Sequence, residues 1–181
     1  MKQYFARTAL VAAALVSSAA GAAEVEVFAK YAGTWKLDMT HVATPYSKPS
    51  AETMTVKNDC WHSENFYVCD QIIDGVSKAL IVFFYDGVSK RYGSYPLSVG
   101  SDTVHPGEVL VDAKSFTFPW QIDDNGKTIH MRIVNTFTGP DTMDFRHEYS
   151  EDGQKWTAMA TGIEKKVAPG KAAAASAPKA K

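Results

Sequence analysis

The chain of 181 residues holds two cysteines, Cys60 and Cys69. A hairpin turning about Glu64–Asn65 pairs residues whose numbers sum to a constant. Ser63 then faces Phe66, His62 faces Tyr67, Trp61 faces Val68 and Cys60 faces Cys69. Counted from the turn, the cysteines form a non-hydrogen-bonded pair with Cα atoms about 4.5 Å apart. That lies inside the bridgeable window of about 4.4–6.8 Å, so the spacing predicts a Cys60–Cys69 disulfide. Closing so short a loop is worth about 2–3 kcal/mol. The spacing fits no zinc pattern and is not a Cys-x-x-Cys redox motif.

The five histidines, His41, His62, His105, His130 and His147, form neither His-x-x-x-His nor His-Glu-x-x-His, and no metal site is implied. His130 and Arg132 share one strand face by the period of two. Arg146 and Glu148 share a face of the next strand, with His147 and Tyr149 opposite. A hairpin near Gly139–Pro140 makes these two strands neighbours. Two arrangements stay open for the arginines. Inside a barrel, a guanidinium could bind a carboxylate ligand through its paired donors. Outside, Arg146 and Glu148 would form a salt-bridge ladder. A haem-binding variant would use His130 or His147 as axial ligand, though no cofactor is otherwise implied. No nucleophile elbow and no Gly-rich phosphate loop occurs, so no catalytic residue is assigned. A hydrolase or isomerase site would need His130 in contact with Glu148 or Asp144. Asp123-Asp124-Asn125-Gly126 lacks the later Glu of a calcium loop and reads as a hairpin turn.

The elements that would position these residues are strands. Turn signals divide the chain into Gly33–Thr40, Ala51–His62, Asn65–Ile73, Lys78–Tyr85, Arg91–Val99, Glu108–Ala113, Ser115–Ile122, Lys127–Phe137, Thr142–Tyr149 and Gln154–Ile163. A short helix over Val25–Ala32, ended by Gly33, precedes them. No connection is long enough for a crossover helix. The fold class expected is all-β: a single antiparallel up-and-down barrel of about ten strands with a short N-terminal helix. Pro96 marks its strand as an edge or a bulge.

The two ends differ from this body. Lys2 and Arg7, an apolar run from Thr8 to Val16, and small residues from Ser17 to Ala23 follow the order of a secretory leader over 1–23. The run is shorter than the roughly 20 residues a spanning helix needs. A periplasmic or secreted location follows, and with it permission for the disulfide. Residues 165–181 are rich in Ala, Pro and Lys and read as a disordered tail, one that could contact anionic envelope polymers. Two of the 19 basic residues lie in the leader and five in the tail, whereas all 20 acidic residues lie in 24–164. The body is thus near −8, which disfavours nucleic acid as a partner. No second apolar stretch is long enough to span a membrane.

The helix running into Phe28-x-x-x-x-Gly33-Thr34-Trp35 resembles the opening of the lipocalin and calycin barrels. With Tyr85-Asp86, Tyr92-x-x-Tyr95 and Glu148-Tyr149-Ser150-x-Asp152-Gly153-x-x-Trp156, the body resembles exported bacterial proteins of the domain-of-unknown-function 1579 type. The resemblance implies a lipocalin-like barrel over 24–164 and no agreed activity. Such a barrel can hold a small ligand. Trp35, Tyr85, Tyr92, His130, Arg132 and Arg146 are the candidate ligand-lining residues. Three functions remain open: binding of a small apolar or amphipathic molecule, an envelope interaction protein with a packed core, and a hydrolase or isomerase with its site at the barrel mouth.

Overall fold

The structure is a computed structural model and describes residues 24–168. The segment 1–23, read from the sequence as a leader, and residues 169–181 of the expected tail lie outside the described residues. A 3-10 helix, Glu26–Tyr31, precedes ten strands: β1 (Gly33–His41), β2 (Ser50–Ser63), β3 (Phe66–Ile73), β4 (Val76–Asp86), β5 (Arg91–Ser98), β6 (Gly107–Val111), β7 (Ser115–Asp124), β8 (Lys127–Gly139), β9 (Thr142–Ser150) and β10 (Thr157–Lys166). Each strand pairs antiparallel with its sequence neighbours, and β1 pairs with β10 to close the barrel. The tight turns make this order the natural one. Asp74-Gly75 and Asn125-Gly126 both supply the consecutive positive φ values that a two-residue hairpin turn requires.

Alternation decides which side chains go inside. On β1, Trp35 and Leu37 are buried while Lys36 and Asp38 point out. On β2, Val56 and Asn58 are buried while Lys57 and Asp59 are exposed. Charge outside and apolar side chains inside is the reverse of the pattern in a membrane-spanning barrel. Among the described residues, no helix is long and apolar enough to cross a membrane.

The helix closes one end of the barrel. Val25, Phe28 and Tyr31 reach inward and pack with Trp35, Phe83, Val109 and Phe116. Phe28 stacks on Phe83 with ring centroids 4.2 Å apart. The Trp35 indole donates to the Tyr31 carbonyl at 2.9 Å, and Asn58 Nδ2 donates to the same oxygen at 3.3 Å. Buried polar groups need such partners.

Cys60 pairs with Cys69 in the expected register and is bonded to it, with Cα atoms 4.1 Å apart. A disulfide of this kind persists in oxidising compartments and is rare in the cytosol. Most strand ends move by one or two residues, and the last strand moves at both ends. Lys165 and Lys166, placed in the tail on composition, belong to β10: Trp35 pairs with Lys166, and Val167 N–H donates to the Thr34 carbonyl at 2.7 Å. The final strand begins at Thr157 because Asp152 holds residues 152–155 in a turn. Its Oδ1 accepts from the Gln154 and Lys155 amides at 2.8 Å each.

The outer wall of β2–β5 carries an apolar row. Trp61, Val68, Val82 and Tyr95 lie side by side in register, and Trp61 is 48% exposed. Beside this row the Phe84 ring lies over Gly93.

Candidate functional site

The barrel is not filled. A cavity of about 1080 Å³ extends from the helix plug to the opposite end, where the β1–β2, β5–β6 and β9–β10 loops gather. Its walls are mainly apolar: Met39, Met54, Ile73, Ile81, Ile133 and Phe145 among them. Each sits on the inward parity of its strand, so the cavity is a direct product of the alternation.

The wall has a weak seam. β6 pairs with β5 only over Gly107–Val109 and with β7 only over Leu110–Val111. The second half of β5 and the second half of β7 therefore have no strand between them. The cavity is lined there by inward Phe118 and Trp120 and also by outward Pro119 and Gln121. Lining by both faces of one strand means that the cavity reaches around the free edge of β7. Pro96, His105 and Pro106 form the other side of this lateral mouth. Pro96 lies where its lack of an N–H costs the ladder nothing on the open side.

Of the six candidate lining residues, His130 lies against the cavity, at the outer lip of this mouth beside Gln121. Gln121 Nε2 and His130 Nδ1 are 3.3 Å apart. Trp35 and Tyr92 pack around the plug, with Tyr85 against Tyr92. Arg132 and Arg146 stand on the outer wall. Arg132 Nε donates to Glu148 Oε2 at 2.7 Å, and its guanidinium lies 3.8 Å from the Trp156 ring centre. Arg146 Nη1 is 3.7 Å from Glu148 Oε1. Of the two possible arrangements for the arginines, this is the ladder. The loop after β9 folds Trp156 over it, so Glu148 is buried although it faces outward. A carboxylate-binding arginine inside the barrel is thereby ruled out, because both guanidiniums are committed outside.

The contact that hydrolase or isomerase chemistry would need is not assembled. Glu148 takes Arg132, His130 meets Gln121, and no hydrogen bond or ion pair joins His130 to Glu148 or Asp144 among the described residues. His147 faces inward on β9, with the Trp120 ring 5.3 Å away and its Nε2 buried without a partner. Burial lowers the pKa of His147, and nearby His41 adds to the effect. Its neutral form is favoured. His41 is itself occupied by Glu52, at 2.8 Å. Among the described residues, no group of three or more His, Cys, Asp or Glu side chains is arranged to hold a metal ion.

Polar groups that the sequence did not single out sit at the cavity floor. Tyr31 from the helix, Asn135 from β8 and Glu164 from β10 all line it. Asn135 Nδ2 donates to the Tyr31 hydroxyl at 2.7 Å, and Asn135 Oδ1 is buried without a partner. Glu164 is 6% exposed, and burial pushes its pKa up to about 7. Burial also raises the pKa of the Tyr31 phenol. The alternation of β8 predicts Asn135 inside, on the face of Ile129, Met131 and Ile133. For Glu164 no sequence signal exists, because a register shift within β10 sets its direction. Neither the protein-family models nor the curated proteins contain a match to this chain.

Proposed function

We propose that the protein is an exported, lipocalin-like binding protein that holds one small apolar or amphipathic molecule inside its barrel, in the periplasm or outside the cell. The cavity carries this reading. Its volume of about 1080 Å³ is just above the roughly 300–1,000 Å³ usual for ligand pockets. Its lining has the usual composition too, apolar side chains with a few convergent polar groups. The helix plug makes one end blind, and the lateral mouth beside β7 gives a way in. The disulfide supports the location, since Cys60 and Cys69 are bonded. The envelope-interaction reading finds support in the exposed ends of the outer row, Trp61 and Tyr95, but a filled core does not accompany it.

Native mass spectrometry of the full chain, expressed with its leader and released from the periplasm, tests the proposal. The expected result is a co-purified molecule, or one equivalent of the neutral dye Nile red bound per chain with Trp120 emission altered. A clean apo mass together with no dye binding would overturn it.

A further inference from the structure

The floor of the cavity has a chemistry that its walls lack. Two of its residues, Asn135 and Glu164, carry acceptors. Asn135 Oδ1 is buried with no partner. Glu164 makes no hydrogen bond or ion pair among the described residues, and the residue is 6% exposed. A buried acceptor left unpaired forfeits its hydration without return, and a buried charge loses more. Of the neighbouring donors, Asn135 Nδ2 is engaged on the Tyr31 hydroxyl and Trp35 Nε1 on the Tyr31 carbonyl, which leaves the uncharged Tyr31 O–H.

No positive charge answers Glu164 either. Among the described residues, no Lys or Arg lines the cavity. Lys166, two residues further along β10, lies over the Trp35 ring at 5.1 Å. The residues paired with Glu164 are Leu37 on β1 and Met143 on β9. The helix contributes Tyr31, a neutral phenol, and β2 contributes Asn58. What the floor lacks is a donor with a positive charge.

We propose that the cavity takes a single-chain aliphatic amine, with its ammonium on the floor against Glu164 and Asn135 and its chain running toward the mouth. This rests on the ligand-binding function proposed for the barrel and names its ligand class. An ammonium offers three donors and no acceptor, so it can satisfy both orphan acceptors at once. A hydroxyl brings one donor and no charge. A fatty acid would set a second carboxylate beside Glu164, and like charges at that distance repel. An amine-headed phospholipid would bring a phosphate that no cavity Lys or Arg could meet.

The proposal has a pH signature. The amine binds the ionised form of Glu164, whose pKa in the empty cavity is pushed up to about 7. Affinity should therefore rise as pH rises through that value and then level off.

Calorimetric titration of the full chain with decylamine, decanol and decanoate, each below its aggregation concentration, tests this. At about pH 8, decylamine should bind on the order of ten-fold tighter than decanol, and decanoate should bind weakest. Near pH 5.5 the amine affinity should fall on the order of ten-fold while decanol is unchanged. Glu164→Gln should erase both the amine preference and its pH dependence and keep decanol binding. If that variant fails to fold, the pH profile of the unaltered chain decides. Equal, pH-independent binding of amine and alcohol, or tighter binding of decanoate, would overturn the amine assignment. Nile red separates the two levels. If the dye binds and the amine shows no preference, only the ligand class falls. If neither dye nor any chain compound binds, the binding function falls with it.

Discussion

Trp35 donates its indole N–H to the carbonyl oxygen of Tyr31 at 2.9 Å, and this bond fastens the helix plug to the first strand. The two residues are four apart, with Gly33 between them in a positive-φ conformation. That turn swings β1 back under the helix. The blind end of the cavity thus depends on one short stretch of chain.

Trp35→Phe keeps most of the packing and removes the donor. The Tyr31 carbonyl would keep only the longer bond from Asn58. The expected loss is about 1–3 kcal/mol in a urea titration, the cost of a buried acceptor left short of a partner. Nile red binding at low denaturant should change little, because Trp35 does not line the cavity. A variant as stable as the parent would mean that the plug is held by packing alone.

Gly93 is the second test of packing, on the opposite side of the wall. A Cβ at this position would collide with the Phe84 ring that covers it. Gly93→Ala should cost about 1–3 kcal/mol, the usual range for overpacking. Phe84→Ala in the same chain should remove that added cost. The double-mutant cycle is the measurement, since the two residues are paired in register. Additive losses would show that the cost of Gly93→Ala does not come from the Phe84 ring.

Reduction of Cys60–Cys69 should leave the barrel folded and lower its stability by about 2–3 kcal/mol. The bond closes a loop with a sequence separation of 9, and so short a loop loses little entropy in the unfolded chain. The β2–β3 register is also fixed by the pairs on either side, Trp61–Val68 and Asp59–Asp70. Urea midpoints with and without reductant check this. Loss of the strand signature on reduction would contradict it.

The strand order and the cysteine register are legible in the sequence because both follow from turn positions. A hairpin turn fixes its pairing by counting, and tight turns leave no room for another order. The inner face of β8 is also legible: Ile129, Met131 and Ile133 alternate with His130 and Arg132, so His130 and Arg132 belong outside. Charged residues of potential chemical interest obscured that simple pattern. The lateral mouth is not legible, because the sequence gives the extent of β6 only to within a few residues, and its short pairing makes the gap. Glu164 is hidden for a stronger reason. Alternation along β10 from Met159 would put Ile163 inside and Glu164 outside. The register shifts between Ala158 and Ala160, and a one-residue shift reverses every side chain after it. Ile163 ends 49% exposed and Glu164 buried.

That reversal has a measurable consequence for the empty protein. The folded-state pKa of Glu164, about 7, lies above its unfolded value near 4.3. Between those values the native state holds a proton that the unfolded chain has released, so stability falls as pH rises. The contribution is fully present below about pH 4 and lost by about pH 8. Its size is on the order of 3–4 kcal/mol, since each tenfold change in proton affinity between the folded and unfolded chain is worth about 1.4 kcal/mol. Asp86, Asp112 and Asp152, whose pKa values are lowered by hydrogen bonds to their own turns, act with the opposite sign and lose their contribution only in acid. Glu164→Gln isolates the buried group. It should be more stable than the parent at about pH 8 and close to it at about pH 5, with the slope between them flattened. Urea titrations of both chains across this range give the comparison. Parallel pH profiles would show that Glu164 is ionised at no cost, and hence that water or a counter-charge already reaches the floor.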